Sequence, residues 1–142
     1  MKPLETGIQG KATVKVTQAN LASSTGSGAV DVFSTPNLVL LMEEAAMDAL
    51  RPYMEEGEST VGTLVNIRHI SPTPPGLTVT ATATLTEIDG RRLVFRVEAY
   101  DGVDKVGEGT HERFLVSLDR FTARAAEKIK LSTNLSTRNS NT

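Results

Sequence analysis

The chain has 142 residues, a formal net charge of −2, 39% apolar residues, no cysteine, no tryptophan and two histidines. That composition excludes disulfides, thiol nucleophiles and cysteine-bearing zinc or iron–sulfur sites, and two histidines are a poor basis for any protein-ligated metal, so none is expected. The charge balance lacks the Lys and Arg excess of a nucleic-acid footprint, and the longest aliphatic run, Leu38 to Met42, is far too short to span a membrane.

The opening MKPLETGIQG has no apolar signal-peptide core, so a cytoplasmic location is expected, with neither nucleic acid nor membrane as partner. One domain is expected over residues 1–130, followed by a polar, disordered tail over 131–142. Ala12 to Val16 alternates apolar and polar residues and predicts a short strand. Residues 19–30 (ANLASSTGSGAV) are small and polar, a loose stretch. Ser34-Thr35-Pro36 is a helix-start signal, a capping hydroxyl followed by proline. The helix is expected from Pro36 to Pro52, since Ala, Leu, Met and Glu dominate it.

The period then changes to two. Ser59 to Ile70 predicts a strand with Val61, Val65, Ile67 and His69 on one face, broken by Pro72, Pro74, Pro75 and Gly76. Residues 77–86 set Leu77, Val79, Ala81, Ala83 and Leu85 against threonine at every position between. Asp89-Gly90 marks a hairpin turn, and the return strand puts Leu93, Phe95, Val97 and Ala99 on one face. A second turn at 101–104 leads into a last strand from Lys105 to Val116, and a short helix from Asp119 to Lys130 closes the domain. The fold class is therefore α+β. A helix apolar on most sides, placed before a sheet apolar on one face, is expected to be wrapped by that sheet. Edge strands of such length invite pairing with a second copy.

Few side chains are available for chemistry. Glu43 has Val39, Leu40, Ala46 and Met47 as its helical neighbours. A carboxylate in an apolar stripe is costly unless paired or protonated. Glu43 therefore either points along an oligomer surface or is a desolvated catalytic carboxylate with a raised pKa. Glu44 lies nearer the polar edge. Thr35 is either a helix N-cap or a hydroxyl beside a free helix N-terminus, suited to polarising a carbonyl. His69 is either a satisfied strand-end residue or the acid–base group, with His111 as its rival. Arg113 shares a face with His111 and is either a surface residue or a cation meeting an anionic group.

Taken together, Thr35, Glu43 and His69 resemble the catalytic set of the hotdog-fold acyl-CoA thioesterases, specifically the fluoroacetyl-CoA thioesterase-like family. The resemblance rests on Val32-Phe33-Ser34-Thr35-Pro36 running into Leu41-Met42-Glu43-Glu44-Ala45-Ala46, on Thr60-Val61-Gly62-Thr63 and Arg68-His69, and on Gly109-Thr110-His111-Glu112-Arg113-Phe114. It covers about residues 10–117. It implies a hotdog fold, with a long central helix wrapped by a curved antiparallel sheet of about five to six strands. It implies hydrolysis of acyl-CoA by Thr35, Glu43 and His69, with Gly62 and Arg113 contacting the acyl thioester. No cofactor is implied beyond CoA as part of the substrate, and the assembly implied is a homodimer, with a tetramer left open. Residues 19–30 hold no aromatic side chain to close over a very small acyl group, so a short- or medium-chain acyl-CoA is expected rather than fluoroacetyl-CoA. In one helix, Thr35 and Glu43 would lie about 12 Å apart along the axis and roughly 80° apart around it, too far for a hydrogen bond. The set then needs a substrate lying along the helix or a residue from a second subunit. The alternative from another class is a non-catalytic acyl-thioester-binding module on the same fold. A hotdog enoyl-CoA hydratase would need a neighbouring Asp/His pair, which is not found.

Overall fold

Strict alternation in the two central strands decides where the core lies. In the computed structural model, which describes residues 1–140, the chain runs β1 (Gln9–Lys15), α1 (Ala22–Thr25), α2 (Thr35–Leu50), β2 (Glu58–His69), β3 (Thr78–Asp89), β4 (Arg92–Tyr100), β5 (Lys105–Ser117) and α3 (Leu118–Ser140). The strands form one five-stranded antiparallel sheet in the order β1-β3-β4-β5-β2. Val79, Ala81, Ala83 and Leu85 of β3 and Leu93, Phe95, Val97 and Ala99 of β4 are all fully buried. Their register, with Ala81 opposite Ala99 and Leu85 opposite Phe95, makes one continuous apolar face.

Helix α2 lies on that face through Leu38, Leu41, Met42, Ala45, Ala46, Ala49 and Leu50, all buried. Its alanines allow a close approach, and Gly10 of β1 completes it. A Cβ at Gly10 would sit 2.1 Å from the Ala45 carbonyl oxygen and 2.2 Å from the Ala49 nitrogen, inside the helix backbone. The helix begins at Thr35 because Ser34 takes the cap, its hydroxyl accepting from the Asn37 amide at 3.3 Å. It ends at Leu50 and passes into a 3-10 turn over Arg51–Tyr53 that contains Pro52, close to the expected stop.

Two sequence expectations need correction. A β-bulge between Gly62 and Leu64 shifts the register of β2 against β5. Before it, Thr60 and Gly62 face the helix, while Val61 pairs with the exposed Phe114 on the opposite face; after it, Val65 pairs with buried His111, and Ile67 and His69 follow on the helix side. Val61 therefore does not share a face with Val65, Ile67 and His69. The last helix, expected over Asp119 to Lys130, continues to Ser140 through most of the tail expected to be disordered over 131–142. No proline or glycine interrupts that stretch, and Thr133 Oγ1 donates to the Ile129 carbonyl one turn back at 3.0 Å. Residues 141–142 of the expected tail lie outside the described residues.

Residues 19–30 are likewise less loose than their composition implies. Leu21 is fully buried and forms a bridge with Phe33, which brings the segment against the start of α2. No helix among the described residues is long and apolar enough to cross a membrane. Among the same residues no cluster of His, Asp and Glu could hold a metal ion.

Candidate active site

The first half of the site forms where α2 starts and β2 ends. Because Ser34 occupies the cap, the Thr35 side chain is not needed by the helix backbone. Its Oγ1 lies 2.7 Å from Nδ1 of His69, the last residue of β2. Both side chains open onto a cleft of about 290 Å³ walled by Ala22, Val32, Phe33 and Ile70. The other ring nitrogen, His69 Nε2, is buried without a hydrogen-bond partner. Burial pushes the His69 pKa below the ordinary histidine value and so favours the neutral ring. A backbone contact with Ser71 opposes that shift without reversing it, and a neutral imidazole tied to Thr35 through one nitrogen is equipped for proton transfer.

The second half lies about two turns further along α2, roughly 12 Å away along the axis. Glu43 Oε2 accepts from Arg113 Nη1 at 3.3 Å. The apolar neighbours of Glu43 on its own helix are as expected, but β5 supplies the missing cation, so the carboxylate is paired rather than isolated. Glu44 is exposed, in line with its place nearer the polar edge. Arg113 is itself buried, and Thr60 anchors it: Nε donates to Thr60 Oγ1 at 2.8 Å and Nη2 to the Thr60 carbonyl at 2.9 Å. His111 completes the cluster, with Nε2 at 3.2 Å from Arg113 Nη1 and Nδ1 at 2.8 Å from the Leu64 carbonyl. Gly62 faces this group across β2, and a Cβ there would lie 2.7 Å from Glu43 Oε2.

One protomer therefore joins Thr35 to His69, and Glu43 to Gly62 and Arg113, but keeps the two groups apart. Glu43 does not line the Thr35–His69 cleft. Arg113, expected to meet the substrate, spends its donors mainly on Thr60, Glu43 and His111. Sequence reasoning missed Thr60 and the Leu64 carbonyl. Their roles depend on the cross-strand register of β2 and β5, for which no local signal exists; only the polar parity of Thr60 beside an apolar helix hinted at the first.

The family model for the fluoroacetyl-CoA-specific thioesterases matches residues 16–119, most of the chain. The chain belongs to that family. A fluoroacetyl-CoA thioesterase of Streptantibioticus cattleyicolor is 50% identical over 98 residues, covering 69% of this chain and 70% of that protein. A solved structure of a fluoroacetyl-CoA thioesterase superposes with a TM-score of 0.83 at 38% identity, covering 89% of this chain and 98% of the other. A thioesterase superfamily member from Thermus thermophilus superposes with a TM-score of 0.84 at 29% identity, over 92% of this chain and 99% of its own. The five-stranded curled sheet around α2 is thus a hotdog fold, and this fluoroacetyl-CoA-specific thioesterase family member is a thioester hydrolase acting on acyl-CoA.

Proposed function

We propose that the protein hydrolyses short- or medium-chain acyl-CoA, using Thr35, Glu43 and His69 in a site completed by a second copy of the chain, as a cytoplasmic homodimer. The Thr35–His69 hydrogen bond beside the cleft carries the reading. With Nδ1–H donating to Thr35 Oγ1, the threonine hydroxyl is free to donate to the thioester carbonyl, helped by backbone N–H groups at the Gly62 bulge of the second copy. Glu43 Oε2 is held by Arg113, while its Oε1 accepts no hydrogen bond among the described residues. Oε1 takes a proton from the attacking water as general base, and water oxygen bonds to the carbonyl carbon. Glu43 passes that proton on, and the neutral His69 ring takes it up at Nε2 and delivers it to the departing CoA thiolate as the carbon–sulfur bond breaks. CoA enters as part of the substrate, and no cofactor is required. Direct attack by Glu43 through an anhydride asks more of the carboxylate and is the lesser route.

Exposed apolar side chains support the second copy. Val65 and Ile70 on or beside edge strand β2, with Leu40 and Met47 on α2, are exposed apolar side chains on the α2 side of the sheet edge. A copy pairing along β2 covers them and brings its own Glu43 group toward the Thr35–His69 cleft. Within residues 19–30 the cleft is lined only by Ala22 and Ser27, with no aromatic side chain to close over a two-carbon acyl group, which supports larger short-chain, branched or aromatic acyl groups.

The test is free-thiol release from an acyl-CoA panel by wild type and by Glu43→Ala, Thr35→Ala and His69→Ala. Glu43→Ala and His69→Ala each lower turnover about 10²-fold or more while the fold persists. Unchanged turnover in both rejects the assignment. Tight acyl-CoA binding without any turnover by wild type would instead support a binding module.

A further inference from the structure

We infer that His111 is a positioning residue for Glu43: a permanently neutral imidazole that orients the Arg113 guanidinium on which Glu43 rests. The inference builds on the reading that Glu43 is catalytic. His111 is 1% exposed, in register with Val65 of β2 and tilted against Phe95 with ring centroids 6.5 Å apart. Its two polar contacts fix its protonation without ambiguity. A carbonyl oxygen can only accept, so Nδ1, 2.8 Å from Leu64 O, carries the hydrogen. A guanidinium can only donate, so Nε2, 3.2 Å from Arg113 Nη1, presents a lone pair. Both contacts demand the same neutral tautomer. Acid–base work at Nε2 would break the contact with Arg113, which separates the role of His111 from that of His69.

The geometry gives this tautomer a purpose. Nη1 has two hydrogens, and the same nitrogen meets both His111 Nε2 and Glu43 Oε2. With Nε and Nη2 tied to the hydroxyl and carbonyl of Thr60, the planar guanidinium has one orientation that satisfies all four acceptors. His111 occupies one Nη1 hydrogen, so the other is aimed at Glu43. Its far nitrogen is held by the carbonyl of Leu64, the residue that closes the bulge in β2. Glu43 is thereby held in register with the Gly62 backbone across from it.

Two substitutions divide the contacts. The Asn amide reaches the position of Nδ1, so His111→Asn keeps the donor to Leu64 and removes the acceptor for Arg113. The longer Gln reaches the position of Nε2, so His111→Gln restores an acceptor to Arg113. On butyryl-CoA, His111→Asn is expected to lower kcat on the order of 10-fold with KM within about twofold, and His111→Gln to recover kcat to within about threefold of wild type. Ring-nitrogen NMR of wild type is expected to show the Nδ1–H tautomer unchanged between about pH 6 and 8. His111→Asn folded with wild-type kcat, or an Nε2–H tautomer in the wild-type spectrum, would overturn the inference. If His111→Asn does not fold, Thr60→Val removes one Arg113 acceptor with little change in volume, and the same loss in kcat is expected; wild-type kcat there would also overturn it. Glu43→Gln at wild-type turnover would remove the parent reading as well, whereas an impaired Glu43→Gln beside a fully active His111→Asn removes this inference alone.

Discussion

Replacing Gly62 by alanine adds one methyl group and tests whether the glycine exists for Glu43 or for the strand. The residue is not among the glycines with positive φ, so alanine can take the same backbone conformation. The new Cβ would lie 2.7 Å from Glu43 Oε2, 3.3 Å from His111 Cε1 and 3.4 Å from Arg113 Nη1. Ordinary contact begins near 3.4 Å, so the carboxylate has to retreat by about 3.4 − 2.7 = 0.7 Å. The atom displaced is the end of a flexible side chain about a third exposed, and buried Arg113 keeps its Thr60 and His111 acceptors, so loosening the ion pair costs about 1 kcal/mol. Alanine returns about 0.4–1 kcal/mol by restricting the unfolded chain, and the two effects nearly cancel. Reactivity has no such compensation, because a misplacement of about 1 Å costs up to ~10²-fold. We therefore expect Gly62→Ala to keep its melting temperature within about 3 °C of wild type while kcat falls about 10- to 10²-fold. The assay is thiol release from saturating acyl-CoA, paired with a thermal melt. A melting temperature far below wild type, or kcat within twofold of it, would refute this account of the glycine.

Gly10→Ala is the structural counterpart. Its Cβ would enter the α2 backbone at 2.1–2.2 Å, which no rotamer can relieve, so a loss of about 3 kcal/mol or more is expected by chemical denaturation; a shift under about 1 kcal/mol would show that α2 can lift off β1. The pH dependence follows from the two histidines. Burial lowers the His69 pKa, and the ring must be neutral, so the acid limb of kcat/KM is expected below the ordinary histidine value of about 6.5. A limb at or above that value would contradict the buried, neutral ring. Burial also holds His111 below its ordinary value, so the unfolded chain takes up a proton first as pH falls below about 6.5 and stability declines there; urea titrations of wild type and His111→Asn should diverge on the alkaline side and converge toward lower pH.

What sequence could read was whatever repeats within a few residues. The apolar faces of residues 77–86 and 93–99 emerge as the buried centre of the sheet, and Ser34-Thr35-Pro36 begins a helix where expected. The division of labour inside that signal was less legible: either hydroxyl could cap, and only the fold shows Ser34 doing so, with Thr35 turned to His69. Glu43 stood out as a carboxylate among apolar neighbours, yet its partner Arg113 lies 70 positions away. No helical periodicity reports such a pair; it depends on β5 passing under α2. The face of Val61 was misread because alternation assumes an uninterrupted strand, and Thr63 interrupts it. The helical stretch beyond Lys130 was misread for a different reason. Its composition is polar and residues 131–135 are exposed, so helix there comes from the absence of breakers rather than from packing against the core.

The extra residue at Thr63 makes the length of β2 a functional quantity. Gly62 and His69 are seven positions apart, an odd interval that a regular strand would divide between opposite faces of the sheet, yet both look toward α2. Loss of a single residue between them would erase the bulge and turn outward either the glycine, together with the Thr60 anchor of Arg113, or the histidine, together with Ile67. In a related chain, a one-residue gap within 62–69 therefore signals a lost or rebuilt site, whereas an insertion at the Gly90 turn leaves the two halves of the site where they are.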